Sequence, residues 1–240
     1  MKPQKLMDIR FYKAHDFDMK KGGWSLLPDN QVSERFVLKL YETDFSTPGY
    51  DHVYIYLTDK LEHGEIQFDF GGTSVQNLLA GVKFSEILKK PFERDDFYIK
   101  LVADSLNFLA DRDGLKKSYI QEVKELVSTH KDKLEIWCAS KTTKSYEIRL
   151  FMLMENKPKL FVEVTDLATK TKSQQKIVEL KDTRDVFKLT SKVTVSKGVI
   201  RVIPRKSASA DWIFSNHLYA LQSAGFLGQD GKSIEIRGMI

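Results

Sequence analysis

Apolar and polar side chains alternate toward both ends of this chain, and a helical period fills its middle. His52-Val53-Tyr54-Ile55-Tyr56-Leu57 sets Val53, Ile55 and Leu57 on one strand face and Tyr54 and Tyr56 on the other. Glu65-Ile66-Gln67-Phe68-Asp69-Phe70 alternates in the same way, and Gly71-Gly72 ends it. Arg35 to Tyr41 is rich in strand-forming residues, so these three segments predict an antiparallel meander. Val75, Leu78, Leu79 and Val82 then recur at helical spacing behind a Thr73 or Ser74 cap. In that helix Gly81 would cost about 1 kcal/mol relative to Ala.

The period of the next segments is unambiguous. Asp95 and Asp96 open a helix carrying Tyr98, Leu101, Val102, Leu106 and Leu109. Asp111-Arg112-Asp113-Gly114 breaks it, and a further helix runs from Leu115 to Thr129, which makes an αα-hairpin. From Leu134 the chain returns to strands, at 134–139, 146–154, 160–164, 176–180, 186–189, 193–195 and 199–203. The polar stretch Thr169 to Gln175 reads as a hairpin loop, and Ser196-Lys197-Gly198 as a tight turn with Gly at a left-handed position. A helix from Asp211 to Ala224 carries Trp212, Ile213, Leu218 and Leu221, Gly225 stops it, and 233–237 is a last short strand.

Grouped strands, then helices, then strands again favour an α+β fold over a regular α/β alternation. The expected layout is antiparallel N-terminal strands, a central helical hairpin, and a strand-rich C-terminal region with one late helix. Two regions follow from this, 1–131 and 132–240, either as separate domains or as one continuous domain.

Composition narrows the class. The chain has 240 residues, 42% of them hydrophobic, with 13 Gly and 6 Pro, which suits a folded chain with a real core. One cysteine excludes an internal disulfide framework and a multi-cysteine zinc site. Cys138 lies in a strand pattern and reads as a buried small hydrophobe. The N-terminal residues lack an apolar run of the secretory type, and no segment approaches the roughly 20 apolar residues of a membrane span. A soluble, cytoplasmic protein that does not engage the membrane is the expectation.

Catalytic motifs are scarce. His15 with Asp16 and Asp18 is the nearest approach to a metal cluster, and no second ligand group accompanies it. Gly71-Gly72-Thr73-Ser74 would sit between strand and helix as an anion loop does, yet it lacks the Lys of a phosphate-binding loop. Glu147-Ile148-Arg149 and Glu235-Ile236-Arg237 have the spacing of a nuclease E-x-K element, but arginine does not give up its proton. No cofactor and no metal are expected, and the balance leans away from an enzyme.

Charge changes the picture. Residues 1–120 carry 17 basic and 19 acidic side chains, whereas 141–206 carry 16 basic and 7 acidic. Lys170, Lys172, Lys176, Lys188, Lys192, Arg201, Arg205 and Lys206 all fall in that strand-rich stretch and are the candidate contacts to nucleic acid. Of the 38 basic residues 29 are Lys, so a solvated surface is the competing reading. Trp24, in a Gly-flanked loop, and Tyr54 with Tyr56, beside Gln67 and Asp69, are candidate protein-interface residues. The expected function is a non-catalytic binding protein that engages an anionic partner, nucleic acid first, through its basic C-terminal region. The alternatives are a protein-binding inhibitor, such as an immunity or antidefence factor of a bacterial or phage conflict system, and a divergent metal-dependent nuclease.

Overall fold

The computed structural model describes residues 3–14, 24–26, 31–72, 74–84, 94–155 and 157–240. The chain divides into two units, Met1–Lys131 and Asp132–Ile240. The α+β class holds in both.

The first unit contains β1 (Asp8–Ala14), β2 (Trp24–Leu26), α1 (Gln31–Glu42), β3 (His52–Thr58), β4 (Ile66–Gly71), β5 (Val75–Gly81), α2 (Arg94–Asp113) and α3 (Lys117–His130). Its sheet runs β2-β1-β3-β5-β4. The three central strands are parallel, and only the edge strands β2 and β4 pair antiparallel. The expected meander is therefore replaced by a mixed sheet.

Two elements differ from the sequence reading, and each has a physical reason. Residues 35–41 are helical within α1 because Val32, Phe36 and Leu40 repeat every four residues and are all buried. The helix touches β1, α2 and α3, so most of its side chains are buried. Residues 75–81 form a strand, not a helix. β5 lies between β3 and β4 and is buried on both faces, so its apolar residues run on without alternating, which a helical period also fits.

Ile9, Phe11, Val53, Ile55, Leu57 and Leu78 form one buried sheet face, and the Phe11 ring meets Tyr98 of α2 at 4.7 Å. Polar groups pin the helices. The buried Arg35 of α1 donates to Asp95 of α2 at 2.9 Å. At the other end of α2, Arg112 and Tyr50 both donate to Asp113, and Arg112 also reaches Gln76 of β5 at 2.9 Å.

The second unit contains β6 (Glu135–Thr142), β7 (Tyr146–Met154), β8 (Pro158–Asp166), β9 (Lys172–Glu179), α4 (Asp185–Leu189), β10 (Lys192–Ser196), β11 (Val199–Ile203), α5 (Ala208–Ser223) and β12 (Ile234–Arg237). β6 to β9 form an antiparallel meander, and β10, β11 and β12 form a second antiparallel sheet. Ile148, Leu150, Leu160, Val162, Ile200, Val202, Ile234 and Ile236 are buried, as are Ile213, Phe214 and Leu221 of α5. α5 lies against α4 and β9, and β10 approaches β6. Residues 186–189, read as a strand, are instead the short helix α4, and the expected 169–175 loop ends where β9 begins at Lys172. Cys138 is buried, and its Sγ donates to the Ile136 carbonyl at 3.4 Å. No described helix is long and apolar enough to cross a membrane.

Gly81 decides between helix and strand by experiment. A Cβ there would stand 1.9 Å from the Glu62 carbonyl oxygen, because the chain before β4 crosses directly over it. Gly81→Ala is expected to destabilise the protein by about 1–3 kcal/mol in a denaturant titration. A helix would instead gain about 1 kcal/mol from the same change.

Candidate anion-binding face

The three-stranded sheet builds its outer face from strict alternation. Val193, Ile200, Val202, Ile234 and Ile236 turn into the core, so Thr194, Arg201, Glu235 and Arg237 fall on the other side. Register brings Arg201 opposite both Thr194 and Glu235, and Val199 opposite Arg237. Lys197 and Gly198 close the hairpin with φ of 50° and 72°, the left-handed pair that a two-residue turn requires. Asn, Asp or Gly would hold the first of these positions at less cost. A lysine there sets a cation at the rim of the face.

Glu235 organises the site. It is only 4% exposed. Arg201 donates from Nε and Nη2 to Glu235 Oε1, at 3.1 and 2.5 Å, and Arg237 donates from Nη2 to Oε2 at 2.7 Å. These hydrogen bonds, first from Arg201 and then from Arg237, hold the Glu235 carboxyl below its ordinary range and raise the Arg201 guanidinium. The two arginine side chains remain 47% and 59% exposed. None of the three bonds uses Arg201 Nη1 or Arg237 Nε and Nη1. They border a cleft of about 160 Å³ together with Thr194, Ser196, Lys197 and Glu235. Arg201 and Arg237 thus grip Glu235, Asp230 acts on Arg201 from nearby, and Lys192 and Lys197 lie on the same strand face and at its turn.

The chain extends this positive region beyond the strands. The Arg205 amide donates to the Lys188 carbonyl at 2.8 Å, which holds the backbone after β11 against α4. Arg205 and Lys206 stand just before Ser207, the side-chain cap of α5. A helix N-terminus carries partial positive charge, so two cations there oppose folding and concentrate positive potential, with Asp211 in the first turn as the local counterweight.

The eight candidate cations divide into two groups. Lys188, Lys192, Arg201, Arg205 and Lys206 gather at the three-stranded sheet and its flanks. Lys170, Lys172 and Lys176 belong to the β8–β9 hairpin instead. Lys170 occupies the turn at φ 60°, Lys172 lies 3.5 Å from Glu163, and Lys176 pairs in register with Phe161. The outer face of that meander is electrically balanced. Arg149, Lys159, Lys172 and Lys176 share it with Glu135, Glu147, Glu163 and Glu179, and Arg149 bonds Glu135 at 2.9 Å and Glu163 at 3.2 Å. Phe151 and Phe161 stack there at 5.5 Å beneath Arg149. Cross-strand pairs of this kind stabilise a sheet.

The protein-interface candidates have other surroundings. β3 pairs with β1 and β5, so Gln67 faces Leu79 rather than Tyr54 or Tyr56. Tyr56 is buried and stacks on Tyr12 at 5.0 Å, and Tyr54 meets Tyr12 edge-on at 5.5 Å. Burial, then the neighbouring Tyr12, Tyr54 and Asp69, push the Tyr56 phenol up to about 12. The backbone of Trp24 pairs with Ala14, and its side chain lies outside the described residues. His15, Asp16 and Asp18 also lie outside them. Among the described residues no group of three or more His, Cys, Asp or Glu stands ready to hold a metal ion. Gly71 and Gly72 begin the turn between antiparallel β4 and β5, so no helix follows to bind an anion.

Lys197, Glu235 and Arg237 are the site residues that the sequence reading missed. Their signal was present in the Ile234-Glu235-Ile236-Arg237 alternation, but only pairing with β11 shows which cations it meets. A carboxylate with a lowered pKa stabilises the fold above its unfolded value and loses that contribution as pH falls through the folded value. Glu235→Gln is therefore expected to lower the thermal midpoint at neutral pH, and the deficit should close as pH falls below the ordinary glutamate range. No family model matches the chain, and no curated protein or solved structure matches it.

Proposed function

We propose that the chain is a non-catalytic binding protein that engages an anionic partner, nucleic acid in the first instance, through the outer face of its three-stranded sheet. One observation carries this reading. Arg201 and Arg237 grip Glu235 beside a small cleft rimmed by Lys197, with Lys192 on the same strand face, so four cations stand against Glu235 and the neighbouring Asp230. Lys188, Arg205 and Lys206 lie on the flanking segments.

Phosphate oxygens suit these donors. Arginine offers planar, directional N–H groups, whereas lysine offers a mobile point charge. Thr194 and Ser196 add hydroxyls to the same cleft. With both arginines of the face already engaged by Glu235, it is suited to the backbone rather than to base edges, so affinity should depend weakly on sequence. The nucleic-acid reading requires neither a nucleophile nor a metal.

Fluorescence anisotropy with labelled single- and double-stranded oligonucleotides tests the proposal. Binding is expected at low salt, with log K falling linearly with log salt at a slope of about −0.7 to −0.9 per phosphate contacted. Lys188→Glu, Lys192→Glu, Lys197→Glu and Arg205→Glu together should weaken binding at least tenfold and flatten the slope. Absence of binding to any DNA or RNA at low salt would overturn it, as would full affinity in the fourfold variant.

A further inference from the structure

The cations of the three-stranded sheet fall on one line. Lys192 shares its cross-strand row with Ile203, Arg201 shares its row with Thr194 and Glu235, and Arg237 shares its row with Val199 and Ser196. Each of β10, β11 and β12 thus contributes one cation, and each successive strand contributes it one row further along. With strands about 4.8 Å apart and same-face residues about 6.8 Å apart, neighbouring cations start about 8 Å from each other and the line is about 17 Å long. None of the three meets a like charge directly across, which is the arrangement a sheet tolerates least. Lys197, in the turn after Ser196, adds a cation near the Arg237 end. Glu235 lies beside the line in the Arg201 row, and Asp230 belongs to the loop before β12.

Nothing along this line can stack on a base. Among the outward positions of the three strands only Val199 and Ile203 are apolar, and none is aromatic. The exposed rings of the second unit, Trp137, Trp212 and Tyr219, belong to β6 and α5 instead. Proteins that hold single strands stack the freed bases on aromatic side chains. Without such rings a single strand must be ordered phosphate by phosphate against its own flexibility. A duplex arrives with the phosphates of each strand already fixed in sequence and with a high charge density.

We infer that the partner is double-stranded nucleic acid, gripped along one of its strands so that successive phosphates follow Lys192, Arg201 and Arg237. The inference rests on the anion-binding reading above and adds the form of the nucleic acid and the path it takes. The three bonds to Glu235 leave Arg201 Nη1 and Arg237 Nε and Nη1 unused, and these are the donors for phosphate oxygens. Thr194 and Ser196 border the line with hydroxyls. The long arms of lysine and arginine take up the difference between the spacing of the cations and that of the phosphates.

Fluorescence anisotropy at matched low salt compares a short DNA duplex and an RNA duplex of the same sequence with each of their separated strands. A duplex is expected to bind at least tenfold more tightly than either of its strands. The double variant Lys192→Ser, Ser196→Lys then tests the path. It keeps composition and net charge, exchanges two exposed positions of β10, and moves one cation off the line. It should weaken duplex binding at least threefold and reduce the salt slope by about 0.9, as the loss of one phosphate contact does. Circular dichroism and thermal midpoint should be unchanged. Separated strands that bind as tightly as the duplex would overturn the inference and leave the anion-binding reading in place. An exchange variant with full affinity and slope would do the same, because net charge alone would then account for binding. Absence of binding to every one of these probes would remove the nucleic-acid reading and the inference together.

Discussion

A carboxylate that is almost fully enclosed stays ionised only where cations and hydrogen bonds replace the water it has lost. Glu235 meets that condition with two arginines, one on each oxygen. The same contacts tie β11 to β12 and fix the orientation of both guanidinium groups. Rigid, outward donors are what a phosphate-binding face needs, because little ordering remains to be done when the anion arrives. The cost is a buried negative charge in the middle of a positive site. Arg201 and Arg237 offset it, and the lysines at 192 and 197 outweigh the neighbouring Asp230.

Position along the chain concealed this arrangement, while composition hinted at it. The excess of basic residues over 141–206 was legible from the sequence. Which of them share a face was not, because Arg201 and Glu235 are 34 residues apart and meet only through sheet register. Lys170, Lys172 and Lys176 looked equivalent to Lys188 and Lys192 on charge alone. Their neighbours separate them: Glu163 lies beside Lys172, and Glu135, Glu147 and Glu179 share the same meander face. Hence the useful distinction was local neutrality rather than local abundance.

The fold was legible wherever one face of an element meets water. The αα-hairpin, the meander strands and the tight turn at Lys197-Gly198 all have such a face, and their periods were clear. Legibility failed where an element is covered on several sides. β5 carries apolar residues at successive positions, so periods of two and of 3.6 fit nearly equally well, and in α1 the run Phe36-Val37-Leu38 masks the helical period that Val32, Phe36 and Leu40 carry. Similarly, Tyr54 and Tyr56 were placed on the correct strand face, but the stack with Tyr12 depends on the parallel β1–β3 pairing, which no local pattern encodes.

The central claim is that one small sheet face, and not the basic region as a whole, receives the anion. Backbone amide chemical shifts, recorded while a short oligonucleotide is added at low salt, test it most directly. The account predicts the largest shifts within residues 192–206 and 229–237, with the strands at 135–179 little changed. Shifts centred on the β8–β9 hairpin, or spread evenly over every lysine, would contradict it.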